Sequence, residues 1–115
     1  MTTQKGIKFE RFNDGIVTIC EIDDDGNVGT RKEKLRFSEK TVGYNRYYEA
    51  MTAKVQIDKL IRVPHRNWLT TEYLAVIGSD VYEIHQVQTL SETLPKTTAL
   101  SLHLARQRRL NNGKF

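Results

Sequence analysis

Alternation of apolar and polar residues predicts β-strands along much of this chain. In the clearest stretch, residues 54–63, the apolar residues fall on one face of a strand: Val55, Ile57, Ile61 and Val63. The polar residues fall on the other face: Lys54, Gln56, Asp58 and Arg62. This pattern is typical of a half-buried strand. Pro64 should end it, because proline has no N–H to donate to a neighbouring strand.

The same alternation continues towards the C-terminus. Residues 100–104 alternate leucine with Ser101 and His103, which predicts another strand. Before it, Glu72–Ile77 and Val81–Val87 flank Gly78-Ser79-Asp80. Glycine readily adopts the positive φ that tight hairpin turns need, so these two runs should form a β-hairpin.

Upstream, Ile16–Ile22 is rich in β-branched residues and apolar on both faces, which predicts a central strand. The acidic stretch Asp23–Asn27 should form a turn, after which Lys32–Phe37 resumes the alternation. Five or six short strands separated by turn signals are typical of a small antiparallel barrel or sandwich.

One segment, about residues 38–52, does not fit a strand. Tyr44, Tyr47, Tyr48 and Met51 recur at helical spacing. This spacing predicts a helix, whereas the position of the segment between two predicted strands favours a long excursion from the barrel. Its aromatic residues either pad the end of the barrel or form a contact surface, since tyrosine offers a large contact area at low entropic cost. The predicted fold is all-β, a small antiparallel β-barrel of five to six strands with this one excursion.

Length and composition are consistent with this fold. The chain has 115 residues, 38% of them hydrophobic and 28% charged, which predicts one soluble domain covering residues 1–115. The ends, residues 1–6 and 106–115, are expected to be flexible. No run of about 18 apolar residues or secretory signal is present. A single cysteine, Cys20, allows no internal disulfide and suits a reducing compartment.

Charge is distributed unevenly. Residues 1–29 carry three basic and six acidic side chains, whereas residues 30–66 carry ten basic and four acidic ones. Such a basic middle suits a phosphate backbone or an acidic protein partner. Alternatively, its lysines and arginines only keep exposed strand faces soluble. The sequence leaves these possibilities open.

A search for catalytic or metal-binding chemistry yields little. The run from Glu21 to Gly26 loosely imitates a calcium loop, but an Asp-Gly hairpin turn explains it better. His65, His85 and His103 lack paired ligand spacing in the sequence, and Cys20 should be a buried, inert thiol. No phosphate-binding glycine loop or nucleophile elbow occurs. We therefore expect no catalysis, no cofactor and no metal site.

Two kinds of binding protein then remain. A small OB-like or SH3-like barrel that binds single-stranded nucleic acid would stack bases on Tyr47 or Tyr48. Three cations would neutralise the phosphates of the nucleic acid: Lys40, Arg46 and Lys54. An assembly module would instead use strand edges and the tyrosine-rich excursion for contacts between copies.

Four blocks of the sequence resemble the head-closure, or head–tail joining, proteins of long-tailed bacteriophages, also called stoppers or adaptors. These blocks are Lys40-Thr41-Val42-Gly43-Tyr44-Asn45-Arg46-Tyr47-Tyr48-Glu49-Ala50, Leu60-Ile61-Arg62-Val63-Pro64, Gly78 with Val81-Tyr82-Glu83-Ile84-His85-Gln86-Val87-Gln88, and Pro95 leading to Leu100-Ser101-Leu102. Their order and spacing extend from about Phe9 to Leu104. The acidic turn and the arginine-rich tail carry none of the resemblance.

The resemblance implies a structural virion protein, made in the bacterial cytoplasm, that joins the phage head to the tail. Its copies would form a ring below the portal or adaptor, close the channel on packaged DNA, and dock a tail-completion or tail protein, with no membrane involved. In that family a long loop projects into the channel, and Ser38–Thr52 matches it here. Tyr44, Tyr47 and Tyr48 would then make loop-to-loop contacts, with Lys40 and Arg46 near DNA. We expect the isolated protein to be a monomer in dilute solution.

Overall fold

A computed structural model describes residues 8–41 and 56–105, with Lys8 described by its backbone alone. Within these two ranges every regular element is a β-strand, and no helix occurs. The strands are β1 (Lys8–Phe9), β2 (Gly15–Ile22), β3 (Val28–Lys40), β4 (Lys59–Pro64), β5 (Leu74–Ile77), β6 (Asp80–Leu90), β7 (Thr93–Leu94) and β8 (Thr97–Leu104).

Six of the strands close into a barrel in the order β2-β3-β4-β8-β6-β5. Every neighbouring pair is antiparallel, and β5 pairs back onto β2 through Thr18↔Val76 and Cys20↔Leu74. Closure leaves no unpaired edge in this sheet. The predicted all-β antiparallel barrel is confirmed, at the upper end of the predicted strand number.

Alternate residues of the six strands fill the barrel. The fully buried interior side chains are Val17, Ile19, Ile61, Val63, Ala75, Leu100 and Leu102. Ile61 and Val63 therefore point inward, as their alternation predicts. The strand is shorter than predicted, however, because β4 begins at Lys59 and residues 56–58 are not in a strand.

Both predicted turns are present. β5 and β6 are joined by Gly78 and Ser79 alone, with Ile77 paired to Asp80 and Gly78 at φ 62°. The loop is thus one residue shorter than predicted, since Asp80 belongs to β6. Between β2 and β3, Asp23 accepts hydrogen bonds from the backbone N–H groups of Asp25 and Asn27, at 2.9 and 2.8 Å. The first acidic residue of the run therefore stabilises the turn itself.

Strand β2 is central, with β3 on one side and β5 on the other, as predicted. Only its middle is buried on both faces, because Ile16 and Ile22 near its ends are exposed. The outward-facing Cys20 belongs to a second apolar cluster with Val28, Leu74, Val76, Val81 and Ala105. Cys20 is fully buried there, and burial raises the pKa of its thiol to about 11.

We expect Cys20 to be unreactive in the folded protein. The thiolate is the reactive form, and at neutral pH a thiol with a pKa near 11 holds almost none of it. A thiol-specific reagent at pH 7.5 should label less than about a tenth of the folded protein during the time in which it labels all of the urea-unfolded protein. Rapid labelling without denaturant would contradict the buried position.

A short N-terminal arm crosses the outside of the barrel. Its strand β1 pairs with β7 in parallel, with Phe9 opposite Leu94, and the Glu10 N–H donates to the Leu94 carbonyl at 3.0 Å. The arm then reaches β3, where the Asp14 N–H donates to the Phe37 carbonyl at 2.8 Å. This course places Glu10 over the outer faces of β3 and β4.

Candidate functional site at the base of the 41–58 segment

Strands β3 and β4 run side by side up to the point where the chain leaves the barrel. Ser38 pairs with Arg62, Glu39 with Ile61, and Lys40 with Leu60. Residues 41–58 connect these two strand ends, so the segment leaves and re-enters the barrel at one place. We call this place, residues 38–40 with 58–62, the segment base.

A buried carboxylate lies on the outer face of the segment base. Glu10 accepts a hydrogen bond from the Ser38 hydroxyl at 2.6 Å and from Arg62 Nη1 at 2.9 Å. Lys40 Nζ is 3.1 Å from the oxygen that Ser38 contacts. The Glu10 side chain is 5% exposed, whereas those of Lys40 and Arg62 remain 38% and 30% exposed. The cluster therefore buries its anion and leaves its cations partly in solvent.

The environment of Glu10 favours its charged form. Burial alone would raise the pKa of this carboxyl group, because it removes water from the charge. Hydrogen bonds from Ser38, Arg62 and Lys40, together with the positive charge of Lys40, outweigh burial and hold the pKa below its ordinary value. One carboxylate facing two cations leaves the cluster with a net charge of about +1.

The arm is fastened to the segment base at a second point. The Asp14 carboxylate accepts a hydrogen bond from the backbone N–H of Glu39 at 2.7 Å. Glu39 in turn forms an ion pair across the strands with Lys59 at 3.2 Å, with 49% and 21% of these side chains exposed. The C-terminal end of β3 therefore contacts both the arm and β4.

The other end of the segment is tied to β8. The Asp58 N–H donates to the Leu102 carbonyl at 2.8 Å, and the Asp58 carboxylate accepts from the Leu104 N–H at 2.7 Å. His103 Nδ1 is 2.8 Å from the Gln56 carbonyl and 3.1 Å from Asp58 Oδ2. Two acceptors at Nδ1 favour a proton on that nitrogen. Both ends of the segment are therefore held by polar contacts to other parts of the barrel.

His85 and His103 lie far apart in sequence but are neighbours in the barrel. Their rings are 5.5 Å apart, edge to face, because β6 pairs with β8 in a register that places Glu83 opposite His103. His85 Nε2 is 3.7 Å from a Glu83 carboxylate oxygen. Even so, the described residues contain no group of three or more histidine, cysteine, aspartate or glutamate side chains able to hold a metal ion.

Of the five residues that the sequence singles out, Lys40 alone can be placed. It is the last residue of β3 and forms an ion pair with Glu10. The others, Tyr44, Arg46, Tyr47 and Tyr48, lie outside the described residues, as does most of the predicted excursion. Its predicted start at Ser38 is wrong, because residues 38–40 pair with β4 and belong to β3. Lys54, the third predicted phosphate contact, also lies outside them.

The sequence reading missed Glu10 and Arg62 as a pair that supports this site. They are 52 residues apart, and no local pattern distinguishes Glu10 from the other acidic residues near the N-terminus. Ser38 is equally hard to recognise from sequence. It is a polar residue next to a buried position on a strand, and its role is visible only once the arm lies over it.

No protein-family model matches the chain, and no curated protein matches its sequence. Within the described parts of the chain, no helix is long and apolar enough to cross a membrane.

Proposed function

We propose that this protein is a structural subunit of a bacteriophage head–tail connector that closes the head channel after DNA packaging. The supporting observation is the segment base. A closed barrel holds both ends of an 18-residue segment, residues 41–58, through polar contacts to the N-terminal arm and to β8. Fixing the two ends of a contact element reduces the orientational freedom that docking must remove, which favours assembly.

The proposed partners are copies of the same chain in a ring, a portal or adaptor ring above, a tail-completion or tail protein below, and packaged DNA. The site of action is the virion, after synthesis in the bacterial cytoplasm. Tyr44, Tyr47 and Tyr48 make the contacts between neighbouring segments. No catalytic step and no cofactor is part of this proposal.

The proposed part played by Lys40 is limited by its ion pair. Lys40 shares the Glu10 carboxylate with Arg62, so the three charges together act on distant phosphates as about one positive charge. In this proposal Arg46 is the stronger DNA contact, and Lys40 chiefly supports the segment base.

A nonsense mutation in the gene tests the proposal. In the source phage or prophage, the induced lysate should contain separate tails beside tailless heads that have lost DNA, as seen by negative-stain electron microscopy. A complementing plasmid copy should restore tailed particles and excludes effects on downstream genes. Normal tailed, infectious particles from the mutant would overturn the proposal.

One observation favours a second candidate, a barrel module that binds single-stranded nucleic acid. Lys34 and Arg36 lie exposed on β3 and make no ion pair with any described residue. If nucleic acid binds there, oligonucleotide affinity should fall linearly with salt on logarithmic axes, with a slope of about −0.7 for each phosphate neutralised. For the connector subunit we expect weak binding by the free monomer.

A further inference from the structure

The β2–β3 hairpin carries an exposed basic strip near the end where β2 begins. Arg36 pairs with Ile16, and two residues along, Lys34 pairs with Thr18. Side chains two apart on a strand share a face, so Lys34 and Arg36 point the same way beside Ile16. Ile16 is 51% exposed, which is unusual for a large apolar residue in a central strand. We call Ile16, Lys34 and Arg36 the basic strip.

Unlike four other basic side chains of the barrel, Lys34 and Arg36 make no ion pair with any described residue. Lys40 and Arg62 share Glu10, and Lys59 pairs with Glu39. Arg66 makes two hydrogen bonds of 3.0 Å to Glu33, one to each carboxylate oxygen. Lys34 and Arg36 have no such contact among the described residues, and both side chains are exposed.

The opposite end of the same hairpin carries the complementary charge. In the turn, the Asp23 carboxylate is occupied by backbone N–H groups, whereas Asp24 and Asp25 are exposed and unpaired within the described residues. Ile22 beside them is 39% exposed. The turn therefore has negative charges beside an exposed isoleucine, and the basic strip has positive charges beside another.

The two surfaces cannot meet within one chain. Ile16 and Ile22 are six residues apart on β2, which is about 20 Å along a strand. Nor does either surface suit a symmetric contact with its own copy, because like charges would face each other. A second copy, turned so that its acidic turn reaches the basic strip, satisfies the charges and covers both isoleucines.

We propose that the acidic turn of one copy, Asp24 and Asp25 with Ile22, docks on the basic strip of the next copy. Repeated from each copy to the next, the proposed contact is head-to-tail, and head-to-tail contacts close into rings when the rotation between copies permits. The inference rests on the proposed function, because it identifies the surfaces that join neighbouring subunits in the connector ring.

Cysteine cross-linking in purified particles tests this contact. The chain carrying Asp25→Cys together with Lys34→Cys retains Asp24 and Arg36 to dock. A disulfide forms only when the two Cα atoms come within about 7 Å. Cys20 contributes no background, since it is buried with a raised pKa. Mild oxidation should then give a ladder of joined subunits on a non-reducing gel.

Three controls show whether the ladder reports this contact. The single variants Asp25→Cys and Lys34→Cys should give no disulfide-linked dimer, because a head-to-tail contact never brings identical positions together. Asp25→Cys combined with Lys96→Cys, another exposed lysine, should give no cross-linked product either. A cross-linked product from any of the three would overturn the proposed contact.

The outcomes separate this inference from the proposed function. Particles that contain the protein in a ring but give no ladder overturn the contact and leave the connector function standing. Particles that lack the protein overturn the proposed function. In that case the contact between copies is tested with the purified double variant in low salt: cross-linking supports the contact, and no cross-linking overturns it as well.

Charge exchange provides a second measurement. Lys34→Glu with Arg36→Glu should prevent incorporation into particles, and adding Asp24→Lys with Asp25→Lys in the same chain should restore it. If incorporation is not restored and the double glutamate variant loses oligonucleotide affinity instead, the basic strip binds nucleic acid and the proposed contact is wrong.

Discussion

Replacing Glu10 by glutamine is expected to lower the free energy of unfolding by about 3 kcal/mol, measured by urea denaturation at pH 7. The substitution keeps the shape of the side chain but removes the charge that Arg62 and Lys40 share. Both cations then lose their carboxylate partner, and the amide meets the Ser38 hydroxyl at a distance of 2.6 Å set for a charged acceptor. Because both cations are partly exposed, the expected loss of stability is at the low end of the range for buried ion pairs.

The same carboxylate should make stability depend on pH. The pKa of Glu10 in the folded protein lies below its unfolded value of about 4.3. The folded state therefore binds a proton less readily than the unfolded state, so the contribution is complete above pH 4.3 and is lost as the pH falls through the folded pKa. Glu10→Gln should flatten this part of the acid-denaturation profile.

Glu39→Gln is the matched control. Glu39 also pairs with a lysine at the segment base, but its side chain is 49% exposed, and exposed pairs contribute about 0–1 kcal/mol. If Glu10→Gln costs no more than Glu39→Gln, the Glu10 cluster does not fasten the arm to the barrel.

Replacing Tyr44, Tyr47 and Tyr48 together by serine is expected to let packaged DNA escape while the subunit still folds. The proposed channel closure depends on ring-to-ring contact area, which serine lacks. Nuclease-accessible DNA in purified heads should rise to the level of the nonsense mutant. The urea midpoint should change little, because the described core of the barrel is formed without these three residues.

The triple phenylalanine variant separates contact area from the hydroxyl groups. It keeps three aromatic rings and should retain DNA. Heads that remain filled with the serine variant would refute the assignment of the three tyrosines, whereas heads that empty with both variants would assign the closure to the hydroxyls.

The sequence was most informative where local patterns coincide with barrel geometry. Inward positions such as Ile61 and Val63 were predictable because strand side chains alternate between faces. The turn at Gly78 was predictable because few residues other than glycine adopt a positive φ readily. At Asp80 and Lys59 the strand ends differ from prediction, since pairing with a neighbouring strand decides where a strand begins and local pattern does not.

The candidate site was much less predictable. Lys40 was identified as a cation near the excursion, but its partner Glu10 lies on an arm 30 residues earlier, which only the folded chain brings over β3. The meeting of His85 with His103 likewise follows from the register between β6 and β8. Contacts of this kind depend on distances in the folded chain, which cannot be read from the spacing of residues in the sequence.

The sequence by itself therefore determined the class of fold, the inward faces and the turns, because these follow from local sterics and the two-residue period of a strand. Tertiary structure alone decided which charges are paired. It joined Glu10 to Arg62 and Lys40, and it left Lys34 and Arg36 open to solvent. The physical reason is that charge pairing depends on through-space distance and solvent access, which are set only when the barrel closes and the arm packs across it.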